Sequence, residues 1–172
     1  MKYCTVGIDT SNYTTSVAAV DENLGIIANL KYPLPVRAGE CGLRQSDAVF
    51  AHTKNLPEAF AALAPLLSEY TPIAVGVSEK PRNQEGSYMP CFLTGISAAE
   101  GISAVAGIPC YRFSHQCGHL MAAILGADPF GAVRRFSCLR RNHRTCPRTL
   151  YGKRILLRGR RRFARPARRT GY

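Results

Sequence analysis

The segment YRFSHQCGHLMAA, residues 111–123, places His115 and His119 four residues apart. On a helix that spacing puts both imidazoles on one face, one turn apart. Two such rings can chelate one divalent metal, but a working site needs at least a third ligand. The pattern is not the zinc-protease HExxH motif, because Gln116 stands where its glutamate would be. Cys117 lies one residue off the shared face and is a poor third ligand. The alternative reading is a helix N-terminus with one buried and one exposed histidine.

A second group lies near the start of the chain. GIDTSNYTTSVA puts Asp9 at the end of an apolar run, with Thr10 and Ser11 in the turn that follows. A tight turn between two strands can present N–H groups to a phosphate. In that reading Asp9 holds a metal–phosphate group while Thr10 and Ser11 donate to it. The alternative is a hairpin whose hydroxyls cap their own backbone.

The elements that would carry these residues follow from hydrophobic period and turn chemistry. KYCTVGIDTS, TTSVAAVD and GIIANLKY read as three strands joined by the SNY and DENLG turns, which makes a meander. YPLPVRAGECGLRQSD is loop-like. From about Ser46 to Ser68 the period is helical, with Ser46 or Asp47 as cap and breaks expected at Pro57 and Pro65. PIAVGVS is a short buried strand, and EKPRNQEGSYMP is a loop. CFLTGISAAEGISAVAG is a helix of small residues suited to close packing on a sheet. IPCYRFS is a strand, and HQCGHLMAAILGA is the helix that bears the two histidines. Three strands followed by helix, strand, helix, strand, helix is an α/β order. It predicts an antiparallel start and a parallel continuation.

Composition sets the class. A hydrophobic content of 46% with 20% charged residues belongs to a globular chain. No apolar run reaches the length of a membrane span. The start, MKYCTVGIDTS, does not read as an export signal. Seven cysteines (Cys4, Cys41, Cys91, Cys110, Cys117, Cys138, Cys146) form no CxxC pair, so reduced thiols and a cytoplasmic location are expected. The net charge of +12 is unevenly spread: residues 1–130 hold 8 basic and 11 acidic residues, and residues 131–172 hold 15 basic residues and no acid. An ordinary body is followed by an Arg-rich tail, and the two need separate explanations.

The ordered set VGIDTSNYTTSVA, GLRQSDAVFAHTKNLPEAF, AVGVSEKPR, AAEGISAVAGIP and FSHQCGHLMAAI resembles the N-terminal part of the glycoprotease-like family. This is the tRNA threonylcarbamoyladenosine transferase family, formerly called O-sialoglycoprotein endopeptidase, and the chain is most similar to a divergent bacterial paralogue. The resemblance spans residues 1–130. It implies an α/β fold, the N-terminal half of an actin-like ATPase lobe with a ribonuclease-H-like core, truncated here. It also implies transfer of threonylcarbamoyl from its adenylate to N6 of the adenosine beside the tRNA anticodon, with partner subunits and no membrane. Iron or zinc would sit on His115 and His119, and a phosphate on Asp9, Thr10 and Ser11. Two departures stand out. Tyr13 and Thr14 occupy the places of the family's two acids after the first loop, and Cys117 occupies that of the glutamate between the histidines. The metal pair therefore transfers more directly than the reaction, and the expected chain is an incomplete, inactive version of the enzyme. The other classes of function are a non-catalytic scaffold of a tRNA-modification complex and a basic-tailed RNA-binding module.

The tail, residues 131–172, mixes Arg with Cys, Phe, Leu and Tyr, which suits neither a solvated arm nor a core. As an arm it would bind nucleic acid through counterion release. A shifted reading frame accounts for it better. Back-translation of residues 132–144 with free third bases, shifted one base forward, permits Phe-His-Val-Ser-Gly-Gly-Thr-Thr-Glu. That resembles the family's second phosphate loop in its expected place. Residues 163–167 in the same frame permit Leu-His-Gly-Gln-Leu, similar to a later family segment. An out-of-frame, unpacked tail is the expectation.

Overall fold

The computed structural model describes residues 1–36 and 42–125. The expectations placed on residues 131–172 lie outside the described residues, as do the last two residues of the histidine helix as it was predicted.

Alternation builds the first three strands. In β1 (Lys2–Ser11) Cys4, Val6, Ile8 and Thr10 are buried while the residues between them are half-buried. β2 (Thr14–Asp21) buries Thr15, Val17 and Ala19, and β3 (Ile26–Pro33) buries Ala28. β1 pairs with β2 and β2 with β3, both antiparallel, as the meander required. The second turn is closed by Asp21, whose Oδ1 accepts the N–H groups of Asn23 at 2.8 Å and Gly25 at 2.7 Å.

The chain then crosses over twice. α1 (Gln45–Leu63) leads to β4 (Tyr70–Lys80), and α2 (Cys91–Ala106) leads to β5 (Cys110–Ser114). β4 runs parallel to β1 and β5 parallel to β4, so the sheet order is β3-β2-β1-β4-β5. This is the ribonuclease-H-like α/β order, with its antiparallel start and parallel continuation. α3 (His115–Leu125) follows β5 directly. Helices α1 and α2 pack against the sheet face formed by Val6, Ile8, Val17, Ala19, Ala28, Val75 and Val77, with Leu56, Ala59, Leu63 and Ala99 between. Full burial of valines such as Val17 and Val75 contributes about 1.5–3 kcal/mol each.

Two details of α1 differ from the sequence expectation. The helix runs through Pro57 without a break. Pro57 removes one backbone hydrogen bond, but Leu56, Ala59 and Leu63 on either side are held in the core, and packing outweighs the lost bond. Pro65 does mark the end, in a 3-10 turn over Ala64–Leu67. The start is Arg44 and Gln45, not Ser46 or Asp47, and no side chain caps it. Gln45 instead ties the site edge together. Its Nε2 donates to Asn12 Oδ1 at 2.8 Å, and its Oε1 accepts the Cys91 N–H at 3.3 Å.

The small residues of α2 serve the close approach expected of them. A Cβ on Gly95 would lie 2.7 Å from Thr10 Oγ1 and 3.2 Å from Thr10 Cγ2. The helix ends at Gly107, whose φ of 67° is the left-handed conformation that glycine adopts without steric cost.

Candidate metal centre

Parallel pairing brings the C-terminal ends of β1, β4 and β5 to one edge of the sheet. Asp9 sits near that end of β1, on the face opposite Thr10. Its Oδ1 accepts the Ser11 N–H at 3.1 Å. His115 opens α3 immediately after β5. Its Nδ1 meets Asp9 Oδ2 at 2.8 Å, across a separation of 106 residues. His119, one turn further along α3, brings its Nε2 to 2.8 Å from His115 Nε2. The two rings stand edge to face, with centroids 4.3 Å apart at 76°.

Local contacts hold α3 in place. Ser114 Oγ accepts the Cys117 N–H at 3.3 Å, an N-terminal cap. The Gln116 N–H donates to the Pro81 carbonyl at 3.2 Å. Phe92, buried at the start of α2, lies 6.3 Å from the His115 ring. His115 and Asp9 side chains are each 27% exposed, so the contact is reachable from solvent but partly shielded. The hydrogen bond to Asp9 raises the His115 pKa above its ordinary value; burial opposes it and the Asp9 charge adds to it.

A third histidine stands behind this edge. His52 is fully buried on α1, and its Nδ1 meets Thr15 Oγ1 at 2.8 Å. Asn55 Nδ2 donates to the same Thr15 oxygen at 3.2 Å. His52 Nε2 has no hydrogen-bond partner among the described residues. Desolvation holds the His52 pKa below its ordinary value, while the Asp9 charge and the Ser11 backbone oppose the shift. Sequence reasoning passed over His52. The signal was present: residues 48, 52, 56, 59 and 63 form one helical stripe, and that stripe is the buried face of α1.

The structure thus joins two groups that the sequence presents separately. Asp9 of the first turn touches His115 of the pair, and His119 touches His115. Thr10 does not join them. It is fully buried, its hydroxyl donates to the Cys91 carbonyl at 2.9 Å and accepts the Gly95 N–H at 3.2 Å, and it serves packing rather than a ligand. Ser11 closes the turn through its backbone N–H on the Asp9 carboxylate rather than through its hydroxyl. Among the described residues no three His, Cys, Asp or Glu side chains are grouped to hold a metal. Asp9 sits at hydrogen-bonding distance from Nδ1, not beside the facing Nε2 atoms. No helix of the described residues is long and apolar enough to cross a membrane.

No protein-family model and no curated protein sequence matches the chain. Among solved structures it is similar to YeaZ from Pseudomonas aeruginosa, at 15% identity over 70% of this chain and 47% of that one, with a TM-score of 0.43. A second P. aeruginosa structure, described as similar to peptidase YeaZ, matches at 17% identity over 70% and 46%, with a TM-score of 0.44. RuvC from Thermus thermophilus matches at 16% identity over 84% of each chain, with a TM-score of 0.41. The chain spans less than half the length of the two YeaZ-type structures. Likenesses at this level concern the fold and no activity.

Proposed function

We propose that His115 and His119 hold one divalent iron or zinc ion, and that the chain works in threonylcarbamoyl transfer to tRNA as a metal-binding component that does not turn over alone. The observation that carries the metal is the convergence of the two Nε2 atoms, which share a hydrogen bond at 2.8 Å, with the opposite nitrogen of one ring engaged by a carboxylate. Imidazole nitrogens suit iron and zinc. When bound, such an ion supplies Lewis-acid polarisation of a carbonyl or phosphoryl oxygen. The substrates, threonylcarbamoyl-adenylate and tRNA, rest on the resemblance of the five ordered segments.

Three features support a component without turnover of its own. The described residues supply two ligands, and a catalytic zinc-type site keeps three. Thr10, a candidate phosphate donor, is committed to α2. Tyr13 and Thr14 replace the two acids of the related loop. A partner subunit supplies the rest of the metal shell.

The test uses the purified protein with threonylcarbamoyl-adenylate, tRNA and iron(II) or zinc(II). Weak metal uptake, abolished in His115→Ala/His119→Ala, with no transfer by the chain alone, is expected. Metal uptake unchanged in the double variant overturns the metal reading. Transfer by the chain alone that vanishes in the double variant shows that its ligand set is already complete. The frame of the tail is read directly from the gene around codons 128–150. Codons there that do not spell the Ser-Gly-Gly-Thr-Thr-Glu loop one base forward favour a true RNA-binding arm.

A further inference from the structure

Asp9 is a conspicuous charge at this edge, and its geometry assigns it a role other than phosphate or metal ligation. Both of its oxygens have partners: Oδ1 takes the Ser11 N–H and Oδ2 faces His115 Nδ1. The carboxylate cannot rotate freely. Asp9 pairs with Ser16 on β2, the β4 pairing of β1 ends one residue earlier at Ile8, and the Ser11 bond restrains the carboxylate.

An ionised carboxylate only accepts hydrogen bonds. The proton of the 2.8 Å contact therefore sits on His115 Nδ1. A neutral imidazole carries one N–H, so His115 Nε2 is then an acceptor, and it takes the hydrogen bond of His119 Nε2–H at 2.8 Å. Were the ring flipped about its Cβ–Cγ bond, Cδ2 would face Asp9 and Cε1 would face His119, and both contacts would be lost. Ser114 caps the helix that carries the ring and Phe92 lies 6.3 Å from it; Asp9 engages Nδ1 while His119 engages Nε2.

We propose that Asp9 is a positioning residue that selects the Nδ1–H tautomer of His115 and presents Nε2 to the ion. This rests on the metal reading above. It links the β1–β2 turn to the ion through one hydrogen bond, and it reassigns the carboxylate that the sequence placed in a phosphate loop. Carboxylates behind metal-bound histidines typically account for about 10- to 100-fold in metal affinity.

Two readouts test it, and neither needs catalysis. Long-range ¹⁵N NMR of the metal-free protein, at a pH where the ring is neutral, should show His115 protonated on Nδ1. Zinc titration should then show about 10- to 100-fold weaker binding in Asp9→Ala and an intermediate loss in the isosteric Asp9→Asn. Unchanged circular dichroism in Asp9→Asn separates this from misfolding. A wild-type His115 protonated on Nε2 overturns the proposal, as does wild-type zinc affinity in both variants. A wild type that takes up no zinc, while His115 still shows the Nδ1–H tautomer, instead overturns the metal reading on which the proposal rests.

Discussion

Gly95→Ala probes the contact that seats α2 on β1 and so sets Phe92 beside His115. The new Cβ would stand 2.7 Å from Thr10 Oγ1, 3.2 Å from Thr10 Cγ2 and 3.5 Å from Ile8 Cγ2. The first distance is too short for any carbon–oxygen contact, and the hydroxyl is held from two sides by Cys91 and Gly95. The helix must lift, at an overpacking cost of about 1–3 kcal/mol. Alanine returns about 1 kcal/mol of helix propensity over glycine. The net loss is about 1 kcal/mol, with a range of about 0–2. Thr10→Ala removes both close atoms and leaves only the ordinary contact with Ile8. In that background Gly95→Ala should be neutral, or stabilising by up to about 1 kcal/mol. The two substitutions should therefore couple by about 1–3 kcal/mol. Urea unfolding of the four proteins, with the m-value unchanged across the set, measures the coupling. A coupling below about 0.5 kcal/mol would mean that the two sites act independently and that the close approach is not what limits residue 95.

Stability should depend on pH through His52. Its folded pKa is depressed by burial, so the unfolded chain takes up the proton first as pH falls below 6.5. Stability then drops, by at most about 1.4 kcal/mol per pH unit for one proton, and His52→Gln should flatten the urea midpoint between about pH 6.5 and 5. The raised pKa of His115 acts in the opposite window: its contribution is complete below 6.5 and is lost as pH rises through the folded value. Ser114→Ala should cost about 1 kcal/mol by removing the cap of α3, and it should weaken zinc binding without touching either imidazole. A Ser114→Ala protein with wild-type stability would show that the start of α3 is held by Pro81 and Phe92 instead.

Much of this molecule is written in local pattern. Alternation marked β2 and a helical period marked α1, because side-chain burial repeats every two residues in a strand and every 3.6 in a helix, and turn residues bounded β1 and β3. The His115 and His119 pair was legible for the same reason. The buried side of His52 was legible too, from the stripe it shares with Leu56 and Ala59, and so was the inward side of Thr10, which has the parity of Val6 and Ile8. Pro57 was not, since a proline stops a helix unless packing elsewhere outweighs the missing bond, and that packing comes from the sheet. Asp9 and His115 are 106 residues apart, and no local period connects them. The parallel register of β1 with β4, and of β4 with β5, carries the ends of the first and last strands to one edge. Residue types could propose a carboxylate at one turn and two imidazoles on one helix. Only the sheet, by pairing strands distant in the chain, made the carboxylate a neighbour of the imidazole and turned its nitrogen toward the other.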